Sequence, residues 1–124
     1  MNPEDLLYTK DHEWIRIAGD TGTIGITHYA QEELGDVVFV EFPHVGAKVE
    51  ANKPLGTIES VKAVSEVFSP VSGEVLEVNN TLIDAPQTVN SDPYGKGWLV
   101  RVRIEKGPGP DFMSAEQYTK YTVG

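Results

Sequence analysis

Two strand-like arms meet at Lys62, and this feature constrains the fold of the chain more than any other. β-Branched residues recur on both sides of the lysine, in the run Gly56-Thr57-Ile58-Glu59-Ser60-Val61-Lys62-Ala63-Val64-Ser65-Glu66-Val67. Because such residues favour strands, we predict a hairpin of strands Leu55–Ser60 and Ala63–Phe68 with Lys62 at its tip. A lysine that is exposed there but fixed in direction suits the attachment of a covalent arm. A lysine in an ordinary solvated turn would give the same sequence pattern.

β-Structure also dominates the predictions for the rest of the chain. Runs rich in β-branched and aromatic residues predict further strands at Tyr8–Ile17, Thr23–Ile26, Asp36–Phe42, Lys48–Glu50, Gly73–Val78 and Gly97–Ile104. We expect the Asp36–Phe42 strand to be buried. Gly46–Leu55 and Gly73–Leu82 share Gly, Glu, Asn and Leu at matching positions. This weak repeat predicts a pseudo-twofold sandwich in which two similar units flank the central hairpin.

Two helices are predicted from their end signals. Thr27 is a good N-cap and Gly35 a good stop for a helix at His28–Leu34. Near the end of the chain, Ser114 is followed three positions later by Gln117, which is a capping-box signature. It predicts a C-terminal helix at Ala115–Tyr121 that packs on the body through Ala115 and its tyrosines.

Composition limits the partners and the chemistry. The 124 residues are 40% hydrophobic and 23% charged, as in a globular chain, and we expect one domain over residues 1–124. A formal net charge of -9 disfavours nucleic acid and anionic membranes, which are bound through clustered Lys and Arg. The absence of cysteine excludes disulfides and thiol catalysis. With neither a long apolar run nor a basic leader, a cytoplasmic protein or a mature mitochondrial form is expected.

Residues that could form a different kind of site lack the necessary spacing. His12, His28 and His44 show no metal-ligand pattern, so structural or solvated roles are favoured and no metal is expected. Ser60 and Ser65 lie outside a G-x-S-x-G motif. No catalytic constellation is predicted.

Several segments resemble the glycine cleavage system H-protein family. The run Glu59–Glu66, followed by Ser69-Pro70-Val71-Ser72-Gly73-Glu74-Val75, is similar to the lipoylation segment of that family. The other matching segments are His12-Glu13-Trp14, Ile24-Gly25-Ile26-Thr27, Leu34–Val40, Asn90 with Pro93-Tyr94-Gly95, and Gly97-Trp98. In this order they span about Leu7 to Tyr121, which makes the combined resemblance specific.

The resemblance implies a mainly β, lipoyl-domain-like barrel-sandwich hybrid with short helices, including the C-terminal one. It implies a non-catalytic carrier with lipoic acid amide-linked to Lys62 by a lipoyl-attaching enzyme. The arm would take an aminomethyl group from glycine decarboxylase (P protein) to aminomethyltransferase (T protein). Dihydrolipoamide dehydrogenase (L protein) would then reoxidise it. We expect the carrier to be a monomer.

The resemblance also places contacts to the loaded arm at Glu13 and Glu66, with Asp11 nearby. A cleft there would exclude water and offer a carboxylate to the cationic end of the arm. Asp11 and Glu66 stand where some members of the family have Ser and Asp. Surface carboxylates without a special role are the alternative for all three.

Other carriers remain possible. An H-like protein could instead donate its lipoyl group to other lipoate-dependent complexes, and the sequence separates this poorly from the main interpretation. A biotinyl domain would have methionines beside the lysine, where this chain has Val61 and Ala63. A lipoyl domain of a 2-oxo acid dehydrogenase would usually show Asp-Lys-Ala at the tip. A binding module without a prosthetic group would leave Lys62 unmodified.

Overall fold

The computed structural model describes residues 2–107 and 112–123, which form nine strands and four helices. The strands are β1 (Leu7–Tyr8), β2 (Glu13–Ala18), β3 (Thr21–Ile26), β4 (Val37–Glu41), β5 (Lys48–Val49), β6 (Pro54–Ser60), β7 (Val64–Phe68), β8 (Ser72–Val78) and β9 (Val100–Lys106). The helices are α1 (His28–Leu34), α2 (Thr81–Asp84), α3 (Thr88–Ser91) and α4 (Ala115–Val123).

The strands form two antiparallel sheets. The larger has six strands in the order β1-β2-β3-β9-β8-β5, and the smaller has three in the order β4-β6-β7. Both sheets contribute to one apolar core, which includes the fully buried side chains of Ile15, Ile24, Ile58, Val75 and Val102. The predicted mainly β fold with short helices and a C-terminal helix is confirmed.

A second, smaller core fixes α4 to the first two strands. Leu6, Tyr8 and Trp14 are buried there against Ala115 and Tyr118 of α4. The rings of Tyr8 and Tyr118 stack with their centroids 4.7 Å apart. The predicted capping box of α4 is confirmed, because the Gln117 N–H donates to Ser114 Oγ and the Ser114 N–H donates to Gln117 Oε1, at 3.2 and 2.9 Å.

Helix α1 begins and ends as predicted. Thr27 Oγ1 accepts a hydrogen bond from the Ala30 N–H at 3.1 Å, and the Gly35 N–H donates to Gln31 O at 3.0 Å. The short helices α2 and α3 were not predicted, and the last strand begins at Val100 instead of Gly97. No helix among the described residues has both the length and the apolar character to cross a bilayer.

Two strand predictions were wrong in instructive ways. The chain does not run straight from Tyr8 to Ile17, because His12 adopts a φ of 70° and a turn separates β1 from β2. The strand predicted at Asp36–Phe42 is not buried throughout, since Val38 and Phe39 in β4 are 47% and 53% exposed. Its sheet packs on the core through one face and leaves the other open.

The weak internal repeat corresponds only partly to structure. Its two copies meet as the antiparallel pair β5–β8, where Lys48 lies opposite Glu74. Beyond this pairing the copies diverge, because Leu55 of the first lies in strand β6 whereas Leu82 of the second lies in helix α2.

Candidate functional site

Lys62 lies in the turn between β6 and β7, as predicted. Its side chain is exposed, and so are its neighbours Val61 and Ala63. In the part of the chain that the structure describes, no carboxylate lies within ion-pairing distance of the Lys62 amine. The turn therefore presents a primary amine to solvent.

The side chain of Ser60 organises this turn. Ser60 is buried, and its hydroxyl accepts hydrogen bonds from the N–H groups of Lys62 and Ala63 at 3.3 and 3.1 Å. The Ser60 N–H donates to Ala63 O at 2.8 Å and closes the hairpin. Serine hydroxyls often stabilise turns in this way. As a result, the backbone around Lys62 is held by hydrogen bonds from both the main chain and the side chain of Ser60.

We expect Ser60→Ala to loosen the tip without unfolding the protein. The loss of a hydroxyl that accepts two N–H groups should cost about 1 kcal/mol of unfolding free energy. The amides of Lys62 and Ala63 should exchange faster with solvent, and this can be measured by hydrogen exchange. Ser65→Ala, on the same hairpin but outside the turn, is the matched control. Unchanged exchange at both amides would contradict this role for Ser60.

A second support reaches the tip from helix α3. The Asn90 side chain accepts from the Val37 N–H at 2.9 Å and donates to Gly35 O at 2.9 Å, which fixes the connection between α1 and β4. In that connection Asp36 O accepts from the Val61 N–H at 3.0 Å. The side chain of Lys62 passes over Gly35, where a Cβ would lie 3.5 Å from Lys62 Cε. Asn90 thus stabilises the hairpin tip indirectly, because it fixes Gly35 and Val37 on either side of the residue that bonds Val61.

A cleft of about 310 Å³ lies beside the hairpin. Its walls are apolar where Ile26, Leu34 and Ile58 line it. Its charged lining residues are all acidic and come from three parts of the chain, namely Asp11, Glu13, Glu33 and Glu66. Ala63, the residue after Lys62, also lines it. A cleft with this lining favours a partly apolar ligand that carries a positive charge.

Glu13 is the buried carboxyl of the cleft. Its side chain is only 3% exposed. It accepts hydrogen bonds from Thr9 Oγ1 at 2.6 Å and from the Phe68 N–H at 3.4 Å. Burial raises the pKa of Glu13 to about 7, and the hydrogen bonds from Thr9 and Phe68 oppose this shift only in part. A cation entering the cleft would favour the ionised form of Glu13.

The raised pKa of Glu13 predicts a distinct dependence of stability on pH. Its value in the folded protein is about 7, against 4.5 for an unperturbed carboxyl. The stability that protonated Glu13 contributes to the fold is therefore fully present below pH 4.5 and is lost as pH rises through about 7. The corresponding loss in unfolding free energy is about 3 kcal/mol.

Glu13→Gln should remove this loss. Denaturant unfolding of both proteins between about pH 5 and about pH 8 measures the difference in slope. His12 acts in the opposite direction, because burial lowers its pKa and stability falls as it becomes protonated. The comparison of the two proteins cancels that effect. If the unfolding free energies of the two proteins changed with pH in parallel, Glu13 would be ionised over this whole pH range and the raised pKa would be wrong.

His12 holds the turn that carries Asp11 and Glu13. Its Nδ1 lies 2.7 Å from the Tyr118 hydroxyl, which lies 2.7 Å from Thr27 Oγ1. Thr27 Oγ1 already accepts from the Ala30 N–H, so its own buried proton needs an acceptor, and the Tyr118 oxygen provides one. The Tyr118 hydroxyl proton is then available to donate to His12 Nδ1. The imidazole therefore links the cleft to both α1 and α4.

The three predicted arm-docking residues lie together in the structure but differ in burial. Asp11, Glu13 and Glu66 line one cleft, but Glu13 is buried whereas Asp11 and Glu66 are exposed. Sequence reasoning missed the supporting roles of Ser60 and Asn90, whereas for His12 it favoured a structural or solvated role, and the structure shows a structural one. A serine two residues before the lysine is a local turn signal. Asn90 and His12 act through residues distant in sequence, and only the resemblance indicated them.

Comparisons with known proteins agree on one family. The family model described as Glycine cleavage H-protein matches residues 6–123. A glycine cleavage system H protein from Rubrobacter xylanophilus is 62% identical over 118 residues, covering 95% of this chain and 92% of that protein. One from Bacillus subtilis is 49% identical over 126 residues, covering 97% of this chain and 95% of that protein.

A solved structure gives the same result. The crystal structure of a glycine cleavage system H protein from Mycobacterium marinum matches with a TM-score of 0.93 and 41% sequence identity. The match covers 98% of this chain and 99% of that one. The similarity therefore extends over nearly the whole fold, including both sheets and α4.

Proposed function

Because the chain belongs to the glycine cleavage H-protein family, we propose that it is the lipoylated carrier of the glycine cleavage system. The observation that supports this best is an exposed Lys62 amine on a braced hairpin tip, beside a cleft whose charged lining residues are acidic. The carrier takes the aminomethyl group of glycine from the decarboxylase to the aminomethyltransferase. Dihydrolipoamide dehydrogenase then restores the arm.

The residues at the tip fit a lipoyl group in amide linkage. Acylation requires an accessible primary amine, and the Lys62 side chain is exposed. Its stem passes over Gly35, where even an added Cβ would lie 3.5 Å from Lys62 Cε, so the stem is not crowded at this point. The hydrogen bonds of Ser60 keep the tip in one conformation while an enzyme acts on it.

The cleft would protect the cargo. When attached, the lipoyl group supplies a dithiolane that can accept and release the aminomethyl group. The apolar side chains of Ile26, Leu34 and Ile58 in the lining would keep water away from an arm docked there. Glu13 provides a buried carboxylate for the amine of the cargo, and a charge-assisted hydrogen bond of this kind is stronger than a neutral one. Asp11 and Glu66 at the rim add negative potential that attracts the amine.

Glycine–bicarbonate exchange by purified glycine decarboxylase tests the proposal. The protein is lipoylated in vitro, its mass is checked, and exchange is measured as its concentration rises. We expect saturable stimulation by the lipoylated carrier and little by the unmodified one. A lipoylated protein that fails to stimulate exchange would contradict the proposal and favour a donor of lipoyl groups to other complexes.

A further inference from the structure

The sheet that carries Lys62 has an open outer face. Cross-strand partners lie on the same side of a sheet, and the register gives two rows across β4, β6 and β7. These rows are Phe39–Glu59–Val64 and Glu41–Thr57–Glu66. All of these residues except the half-buried Thr57 are exposed, with 53% of Phe39 and 66% of Val64 accessible. We call these six residues the outer face.

The carboxylates of this face differ from those on the six-stranded sheet, which pair with Arg or Lys. On the six-stranded sheet, Arg103 lies 2.6 Å from Glu74 and Arg101 lies 2.7 Å from Glu77. Lys48 likewise contacts Glu105 at 2.6 Å. Within residues 2–107 and 112–123, by contrast, no ion pair involves Glu41, Glu59 or Glu66.

The open face is also continuous with the attachment point. Val61 next to Lys62 is 69% exposed, and Val64 begins the strand that follows the turn. An enzyme that takes an arm from Lys62 into its active site must approach this end of the sheet. Acylation of Lys62 removes its positive charge and leaves the tip and the outer face without a cation from the turn.

We propose that the outer face is the docking surface for the enzymes that take up the arm. Its occupant is an enzyme surface with an apolar centre, which covers Phe39 and Val64, and a rim of Lys and Arg that pairs with Glu41 and Glu59. Val64 and Glu66 also line the cleft, so the outer face borders it. Exposed apolar residues surrounded by charge are typical of such interfaces. This inference rests on the carrier function proposed above, and it identifies where on the carrier its enzymes bind.

Phe39→Ser and Glu41→Lys test the docking surface, because neither residue lines the cleft. Both variants are fully lipoylated before assay, and KM for the carrier and kcat are measured with glycine decarboxylase and with aminomethyltransferase. We expect KM to rise roughly tenfold or more with Phe39→Ser, while kcat at saturation is kept. Glu41→Lys should also weaken the salt dependence of KM.

Leu76→Ser, which changes a partly exposed apolar residue on the six-stranded sheet, is the matched control and should leave KM unchanged. If wild-type protein stimulates exchange but both face variants keep its KM, the docking proposal is wrong and the carrier function stands. The docking proposal would also be wrong if the variants slowed only lipoylation, because the outer face would then bind the lipoyl-attaching enzyme. A wild-type protein without activity would instead contradict the carrier function itself.

Discussion

Replacing Lys62 with arginine should abolish carrier activity while the fold remains intact. A guanidinium stays protonated in proteins and forms no stable amide with lipoic acid. We therefore expect no lipoyl mass addition and no stimulation of glycine–bicarbonate exchange above background. Since Lys62 is exposed, the free energy of unfolding should change by less than about 0.5 kcal/mol.

Lys53→Arg is the control for this variant, because Lys53 is also exposed and lies just before β6. It should be lipoylated at Lys62 and support exchange like the wild type. Two results would contradict the assignment of Lys62. One is a lipoylated Lys62→Arg protein, and the other is a variant that fails to fold, which would show that the lysine has a structural role.

Replacing Glu13 with glutamine should shorten the lifetime of the loaded carrier. The amide has nearly the same shape, and it keeps both partners when its oxygen accepts from the Phe68 N–H and its NH2 group donates to Thr9 Oγ1. It cannot form a charge-assisted bond to the amine of the cargo. Such bonds contribute about 1.5–3 kcal/mol. Docking of the arm should therefore weaken by roughly ten- to a hundredfold. Release of the cargo to water, measured without aminomethyltransferase, reports the change.

Glu33→Gln separates this local effect from the general charge of the cleft. Glu33 also lines the cleft but is exposed, so solvent screens its charge and its loss should have a small effect. Equal lifetimes for the wild type and the Glu13→Gln protein would reject the protective role. Equal losses from both glutamine variants would show that net charge, and not the buried carboxyl, holds the arm.

The local parts of the site could be predicted from sequence, because neighbouring residues determine them. The hairpin follows from β-branched residues on either side of Lys62. Helix α1 follows from Thr27 and Gly35, and α4 from the capping box of Ser114 and Gln117. In each case the physical signal lies within a few residues of the structure that it predicts.

The cleft itself could not be predicted, because it depends on contacts between distant residues. Glu13 is buried because the fold brings β2 against the end of β7, and this burial raises its pKa. The turn at His12 is held by Tyr118 from the opposite end of the chain. Phe39 is a residue type that usually lies in the core, yet it is 53% exposed because no element among residues 2–107 and 112–123 covers that face of its sheet. The family resemblance indicated Glu13, but neither its burial nor its partners.

The mass of the intact protein, purified from its native cells while they break down glycine, tests the central claim most directly. We predict a mass increase of one lipoyl group, with fragmentation placing it on Lys62. A protein whose Lys62 amine is unmodified under those conditions would contradict the carrier function.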